Sequence, residues 1–176
     1  MVKTLTDPQQ NESPMQQAVS LLSLILERQQ GAHVRKYLIP IDPVAQERPR
    51  IKRRSKWDDG SPMYNPQAQI KRGVKNILMT QHQGEPLECA VFVIAVFYFA
   101  APESWSEKKK RRAYGLEEPR ILHAVKPDKD NCEKFINDCL DGVVIKNDAQ
   151  IYGGLALKEY REEPGIEIIV YAHGDK

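Results

Sequence analysis

Residues 126–150, KPDKDNCEKFINDCLDGVVIKNDAQ, hold the side chains of this chain that could do chemistry together. Asp128 and Asp130 stand two apart, behind a proline that restricts Lys126 to extended geometry. In an extended stretch that spacing points both carboxylates to one side. Asp130 falls where a helix cap belongs, with Glu133 at the third helical position. Cys132, Phe135, Ile136, Cys139 and Leu140 follow at helical spacing and form a stripe to be buried. Lys134, Asp138 and Asp141 lie on the other side, so Lys134 sits one turn into a helix whose start carries Asp130. The helix ends near Gly142, and a short apolar run leads to Lys146, Asn147 and Asp148. A helix and its return strand are expected to bring Asp148 back beside the helix start, so that three carboxylates converge. Converging carboxylates repel one another and need lysines or a divalent cation to neutralise them. Ligation by oxygen alone suits Mg²⁺ or Mn²⁺ and not zinc. Such ions bind phosphate oxygens, ready a water for attack and steady a leaving group. Lys134 would then bear on a phosphate or on charge developing in the transition state.

The same residues also have a plainer reading. Asp130 could be only a cap, Asp128 a turn acid, Lys134 and Asp138 an i,i+4 pair, and Asp148 a loop residue. Spacing alone leaves both readings open. An EF-hand fits poorly, because neither the glycine nor the distal glutamate of that loop is in place. No (D/E)xK triplet follows Pro127–Asp128 at the point where a PD-(D/E)xK nuclease needs it.

The elements that must position these groups can be read along the chain. Its 176 residues and 20.1 kDa suit one domain with a modest extension. Residues 1–33 read as an N-terminal extension and 34–176 as the main domain. In the extension, Ser13, Pro14 and Gln16 signal a helix start, and Met15, Val19, Leu22 and Leu26 form an amphipathic stripe ending before Gly31. That helix could pack on the core or pair with a second copy; the first reading is favoured. Residues 34–41 read as a strand, and Asn65 and Pro66 open a helix with Ile70, Val74, Ile77 and Leu78 on one face. Residues 89–99 are nearly all apolar and read as a strand buried on both faces. A short basic helix follows Trp105, and strands are expected at 151–160 and 166–171. The order predicts an α+β fold, a single domain with a mixed β-sheet packed by helices.

Composition narrows the function classes. Hydrophobic residues make up 41% and charged residues 28%, and no apolar run is long enough to span a membrane. With no signal-type leader and three scattered cysteines, the chain reads as a soluble cytoplasmic protein with reduced thiols. The net charge of +2 hides a segregation. One basic block holds Arg48, Arg50, Lys52, Arg53 and Arg54, and a second holds Lys108, Lys109, Lys110, Arg111 and Arg112. Two basic blocks beside an acidic cluster suit a polyanion on one surface and a cation at a separate site. The plain alternative for each block is a solvated loop. Trp57 and Trp105, next to the blocks, could stack on an unpaired base; for Trp105 the role of loop anchor is preferred. His123 reads as structural or phosphate-contacting rather than as a general base, and Cys132 and Cys139 as core residues.

The pattern Asp128, Asp130–Asn131, Lys134, Asp138–Cys139–Leu140 and Asp148–Ala149–Gln150 resembles the signature of the RusA-type Holliday junction resolvases of bacteria and their phages. ERPR at 47–50, YNP at 64–66, PESWSEKKKRRA at 102–113 and His123 resemble features of phage members, so the likeness covers roughly residues 37–172. It implies a homodimeric, Mg²⁺-dependent endonuclease (Mn²⁺ substituting) that binds a four-way DNA junction and nicks two strands of like polarity symmetrically. It further implies Asp128, Asp130 and Asp148 as metal-binding catalytic acids and Lys134 as the catalytic lysine. The two basic blocks would hold the DNA backbones. Asn147 departs from the family pattern, which often has an acid there. That departure motivates the alternative of a catalytically inactive protein that only binds branched DNA.

Overall fold

The computed structural model describes residues 33–47, 50–51, 63–64 and 66–174, together with Ser20 and Leu24, which are helical. The expected N-terminal helix otherwise lies outside the described residues.

Alternation and burial organise the sheet. Strand β4 (Ala90–Phe99) is buried along most of its length, as its ten-residue apolar run requires. It pairs parallel with β5 (Ile151–Tyr160) and antiparallel with β6 (Gly165–His173), which in turn pairs antiparallel with β1 (His33–Ile39). The sheet order is therefore β1-β6-β4-β5, a mixed four-stranded sheet. Like β6, β4 lies inside the sheet and is covered on both faces. A separate two-stranded ribbon pairs β2 (Arg50–Ile51) with β3 (Met63–Tyr64). Sequence pattern does not reveal this ribbon, because its strands are too short to show a period.

Three helices whose bounds lie among the described residues complete the α+β fold: α1 (Ala68–Gln81), α2 (Glu107–Ala113) and α3 (Lys129–Leu140). Helices α1 and α3 bury Val74, Leu78, Cys132, Phe135, Ile136, Cys139 and Leu140 against Val91, Val93, Ala95 and Phe97 of β4 and Ile166, Ile168 and Val170 of β6. The alternate β4 residues Ile94, Val96 and Tyr98 join Ile169 and Tyr171 on the opposite face. Lys71 of α1 pairs with Asp138 of α3, and Lys75 donates to the Asp141 carbonyl, so the two helices are tied by polar contacts above the core. The Lys134–Asp138 pair offered by the plainer reading does not form: Lys71 pairs with Asp138, and Lys134 lies nearest Asp130.

The parallel β4–β5 pair decides where the ends of α3 lie. A parallel partner can be reached only by a crossover that carries the chain back along the sheet. Here the return is α3, so its N-terminus sits beside the end of β5 and its C-terminus near the start.

Candidate functional site

Helix α3 starts one residue after Asp128, which is its N-cap, with ψ at 140°. Sequence reasoning put the cap at Asp130, since either aspartate can cap a helix; the structure places Asp130 inside the first turn. The Asp128 side chain makes no capping hydrogen bond, so its carboxylate is not engaged by the helix it opens. Asp130 and Lys134 are one turn apart, with Lys134 Nζ 3.9 Å from Asp130 Oδ2. Both side chains are mostly exposed, at 63% and 66%. Their helix is rigid beneath them, because Cys132, Phe135 and Ile136 on its other face are fully buried. Two acids and one base thus face solvent from a well-anchored helix start. The helix dipole adds partial positive charge there, which favours carboxylates.

Asp148 lies elsewhere in the chain. The chain turns tightly at Gly142, where φ is +73°, and Asp148 opens a single 3₁₀ turn just before β5. The turn is built by its neighbours. Asn147 accepts from Ala149 N at 2.8 Å, and Gln150 Oε1 accepts from Asn147 N at 2.7 Å. Gln150 Nε2 also donates to the carbonyls of Leu87 and Cys89, latching the turn to the segment that leads into β4. Asp148 is left exposed. The other end of β5 meets the acid pair: Lys158 donates to the carbonyls of Val125 and Pro127, just before Asp128. The seven residue steps from Ile151 to Lys158 span about 23 Å of extended chain. Within the chain the expected convergence of Asp148 with Asp128 and Asp130 is therefore not made. Among the described residues no three His, Cys, Asp or Glu side chains form a metal-holding group. The physical reason is the parallel crossover, which puts the start of β5 at the far end of α3.

The basic blocks fare differently. Arg48 and 52–54 lie outside the described residues, and Arg50 is placed only as part of β2. The second block is helix α2, capped by Ser106 accepting from Lys109 N. Its last turn carries Lys110, Arg111 and Arg112, where the helix dipole favours cations. Several of its bases are held locally. Lys109 lies over the Trp105 ring at 3.8 Å, Lys110 pairs with Glu107, Arg111 pairs with Glu117, and Arg112 Nε donates to the Pro119 carbonyl. Trp105 packs against Tyr160 at 5.3 Å between ring centroids and anchors its loop. Trp57 lies outside the described residues.

The buried titratable groups are structural. His123 is 7% exposed and stacks between Phe99 and Tyr160, with centroids at 4.1 and 4.6 Å. Burial first, and then the Lys158 charge, holds its pKa below the ordinary value. Cys132 and Cys139 are fully buried, and burial pushes each thiol up to about 11. Sequence reasoning missed Gln67 and Lys158, and it gave Gln150 a place in the motif but no role. Gln67 is buried and clasps the 45–47 segment through Ala45 O and Glu47 N. Each of these three works on backbone groups distant in sequence, which leaves no local signature.

Two comparisons with known proteins bear on the site. A family model described as Endodeoxyribonuclease RusA matches residues 40–171. The uncharacterized protein YqaN of Bacillus subtilis (strain 168) is 29% identical over 138 residues, covering 77% of this chain and 94% of that protein. The family match takes in all three helices, the 3₁₀ turn, β4, β5 and all but the last two residues of β6, and it begins just after β1. No described helix is long and apolar enough to cross a membrane.

Proposed function

Because the chain belongs to the RusA endodeoxyribonuclease family, a group of divalent-metal-dependent nucleases that bind and resolve Holliday junctions, we propose that it works as a Mg²⁺-dependent homodimer nicking two junction strands symmetrically. The observation that carries this reading is the start of α3. There Asp128 has no capping bond, and Asp130 and Lys134 stand exposed one turn apart.

The donor set fits the ion. Asp128, Asp130 and Asp148 offer only hard carboxylate oxygens, as Mg²⁺ prefers, with Mn²⁺ as a substitute. When bound, the ion supplies positive charge to phosphate oxygens and to the leaving oxygen. Asp128 and Asp130 hold it at the helix start. Lys134, on the same face, opposes the charge that builds on the phosphate. The rigid underside of α3 keeps all three in place through the reaction.

The distance between Asp148 and the other two acids gives the dimer a role in the site. A two-fold dimer presents equivalent sites to the near-two-fold symmetry of a junction. In our reading each site joins Asp128, Asp130 and Lys134 of one protomer to Asp148 of the partner subunit. Lys108 and its α2 neighbours, with the block at 48–54, lie along the DNA backbones, so affinity falls as salt rises.

Mixing two inactive variants tests this arrangement. A heterodimer of Asp128→Asn and Asp148→Asn protomers keeps one intact shared site if the acids come from different subunits. It keeps none if each site is made within one protomer. The expected result is that the mixture regains nicking of one junction strand, while each variant alone is dead. A mixture as inactive as its parts contradicts the shared site. If the wild-type protein binds a four-way junction with Mg²⁺ present and never nicks it, the inactive junction-binding alternative replaces the nuclease reading.

A further inference from the structure

The segment that delivers Asp128 is a loop of irregular chain running from Tyr114 to Pro127. Leu122 and Val125 within it are largely exposed, so apolar packing does little to fix its last residues. Side chains and strand β5 fix it instead. Arg120 meets Glu159 at 3.5 Å, and the ring of His123 sits between Phe99 and Tyr160. Both anchors act at least five residues before Asp128. Closer in stands Lys158, whose Nζ donates to Val125 O at 2.6 Å and to Pro127 O at 2.8 Å. One ammonium thus grips the carbonyls one and three residues ahead of the N-cap, with donor capacity to spare.

Lys158 is half-buried in β5, beside Glu159 and Tyr160, which hold the rest of the loop. Three successive β5 residues therefore serve the same loop, and only Lys158 reaches the residues that aim the acid pair. The direction of the Asp128 and Asp130 carboxylates depends on the backbone angle at which the chain enters α3. Two charge-assisted bonds at that point set the angle, and they place a positive charge close to where two carboxylates would otherwise repel each other.

We propose that Lys158 is a positioning residue for the Asp128–Asp130 pair, clamping the Val125 and Pro127 carbonyls so that both carboxylates present one cation site. The proposal rests on the nuclease reading above. Arginine is no equivalent, since its planar fork cannot seat one point charge between two converging carbonyls.

The test uses the full chain as wild type, Lys158→Met and Lys158→Arg. Three quantities are measured: Mn²⁺ binding by calorimetry, junction binding by gel shift, and single-turnover nicking at saturating junction. Amide hydrogen exchange is followed across 125–131 and, as a control, in β4. For Lys158→Met, exchange across 125–131 should rise about 10- to 100-fold, as loss of a charged hydrogen bond implies, with β4 unchanged. Its Mn²⁺ affinity should fall, and its nicking rate should drop about 100-fold, the expected cost of an ångström-scale misplacement of catalytic groups. Junction affinity should stay within a factor of about three. Lys158→Arg should recover part of the rate. If the wild type nicks and Lys158→Met binds Mn²⁺ and nicks equally well, the positioning role is overturned while the nuclease reading stands. A rise in β4 exchange as large as that at 125–131 also overturns it, because it marks a general loss of fold. If the wild type itself never nicks, the nuclease reading fails, and this inference fails with it.

Discussion

Three glycine-to-alanine substitutions should give three different stability outcomes, set by what a new methyl group meets. In Gly154→Ala, on β5, the added carbon would lie 2.8 Å from the Val93 carbonyl oxygen of the paired strand. That contact is backbone, so relief of a few tenths of an ångström requires the central strand pair to part. Overpacking of this kind costs about 1–3 kcal/mol, offset by about 0.5–1 kcal/mol from the lower entropy of the unfolded chain. The net expectation is a loss of about 1–2 kcal/mol, or a fall of roughly 2–8 °C in Tm for a chain of this size. In Gly153→Ala the new carbon meets the Phe92 ring at 3.1 Å. Phe92 is only half-buried and can turn away, so the change should be within about 0.5 kcal/mol of zero. Gly73 sits within α1 with nothing inside 4 Å. Alanine there should stabilise by about 0.5–1 kcal/mol through helix propensity alone. Urea and thermal unfolding of the three variants, side by side, check the order. If Gly154→Ala proves as stable as Gly73→Ala, the close approach of β5 to β4 at Val93 is contradicted.

Other expectations concern single side chains. Gln150→Ala should cost about 1–3 kcal/mol by leaving the Leu87 and Cys89 carbonyls without their donor; chemical denaturation measures it, and a neutral result would mean the turn is held some other way. His123 carries a lowered folded pKa, by burial first and then by the Lys158 charge, against an ordinary value of 6.5. Below that value the unfolded chain binds more protons than the folded one. The stabilisation is therefore complete above pH 6.5 and drains as pH falls towards the lowered folded pKa, with a slope of at most about 1.4 kcal/mol per pH unit. His123→Phe should lose less stability than wild type between pH 7.5 and 5, and parallel stability curves would contradict the burial. In the native protein at pH 8 a thiol probe should label half-buried Cys89 and spare Cys132 and Cys139, whose thiols burial pushes up to about 11. Labelling of all three at one rate, read by mass spectrometry, would contradict the core packing.

What could be read from sequence is what repeats locally. The apolar run of β4 and the Cys132–Phe135–Ile136–Cys139–Leu140 stripe of α3 each show their period within one element, and both elements formed as expected. The residue types of the acid pair and Lys134 were likewise legible, and they lie together on one helix start. The cap was misplaced by two residues because Asp128 and Asp130 are equally good capping types, and only the path of the preceding loop decides between them. The place of Asp148 was misread because spacing says nothing about direction. Once β5 is parallel to β4, the strand must begin at the far end of α3. Lys158 stayed invisible for a related reason: a lone lysine in an alternating strand looks solvated until the tertiary fold brings two carbonyls to it.

Incubation of the purified protein with a synthetic four-way junction, with and without Mg²⁺, alongside Asp128→Asn, bears most directly on what the start of α3 is for. Paired nicks on strands of like polarity should appear only with the wild type and the ion. Asp128→Asn should still bind the junction, as tightly or more tightly, because one carboxylate no longer repels phosphate. Nicking by Asp128→Asn at the wild-type rate would contradict the assignment of these carboxylates to the metal.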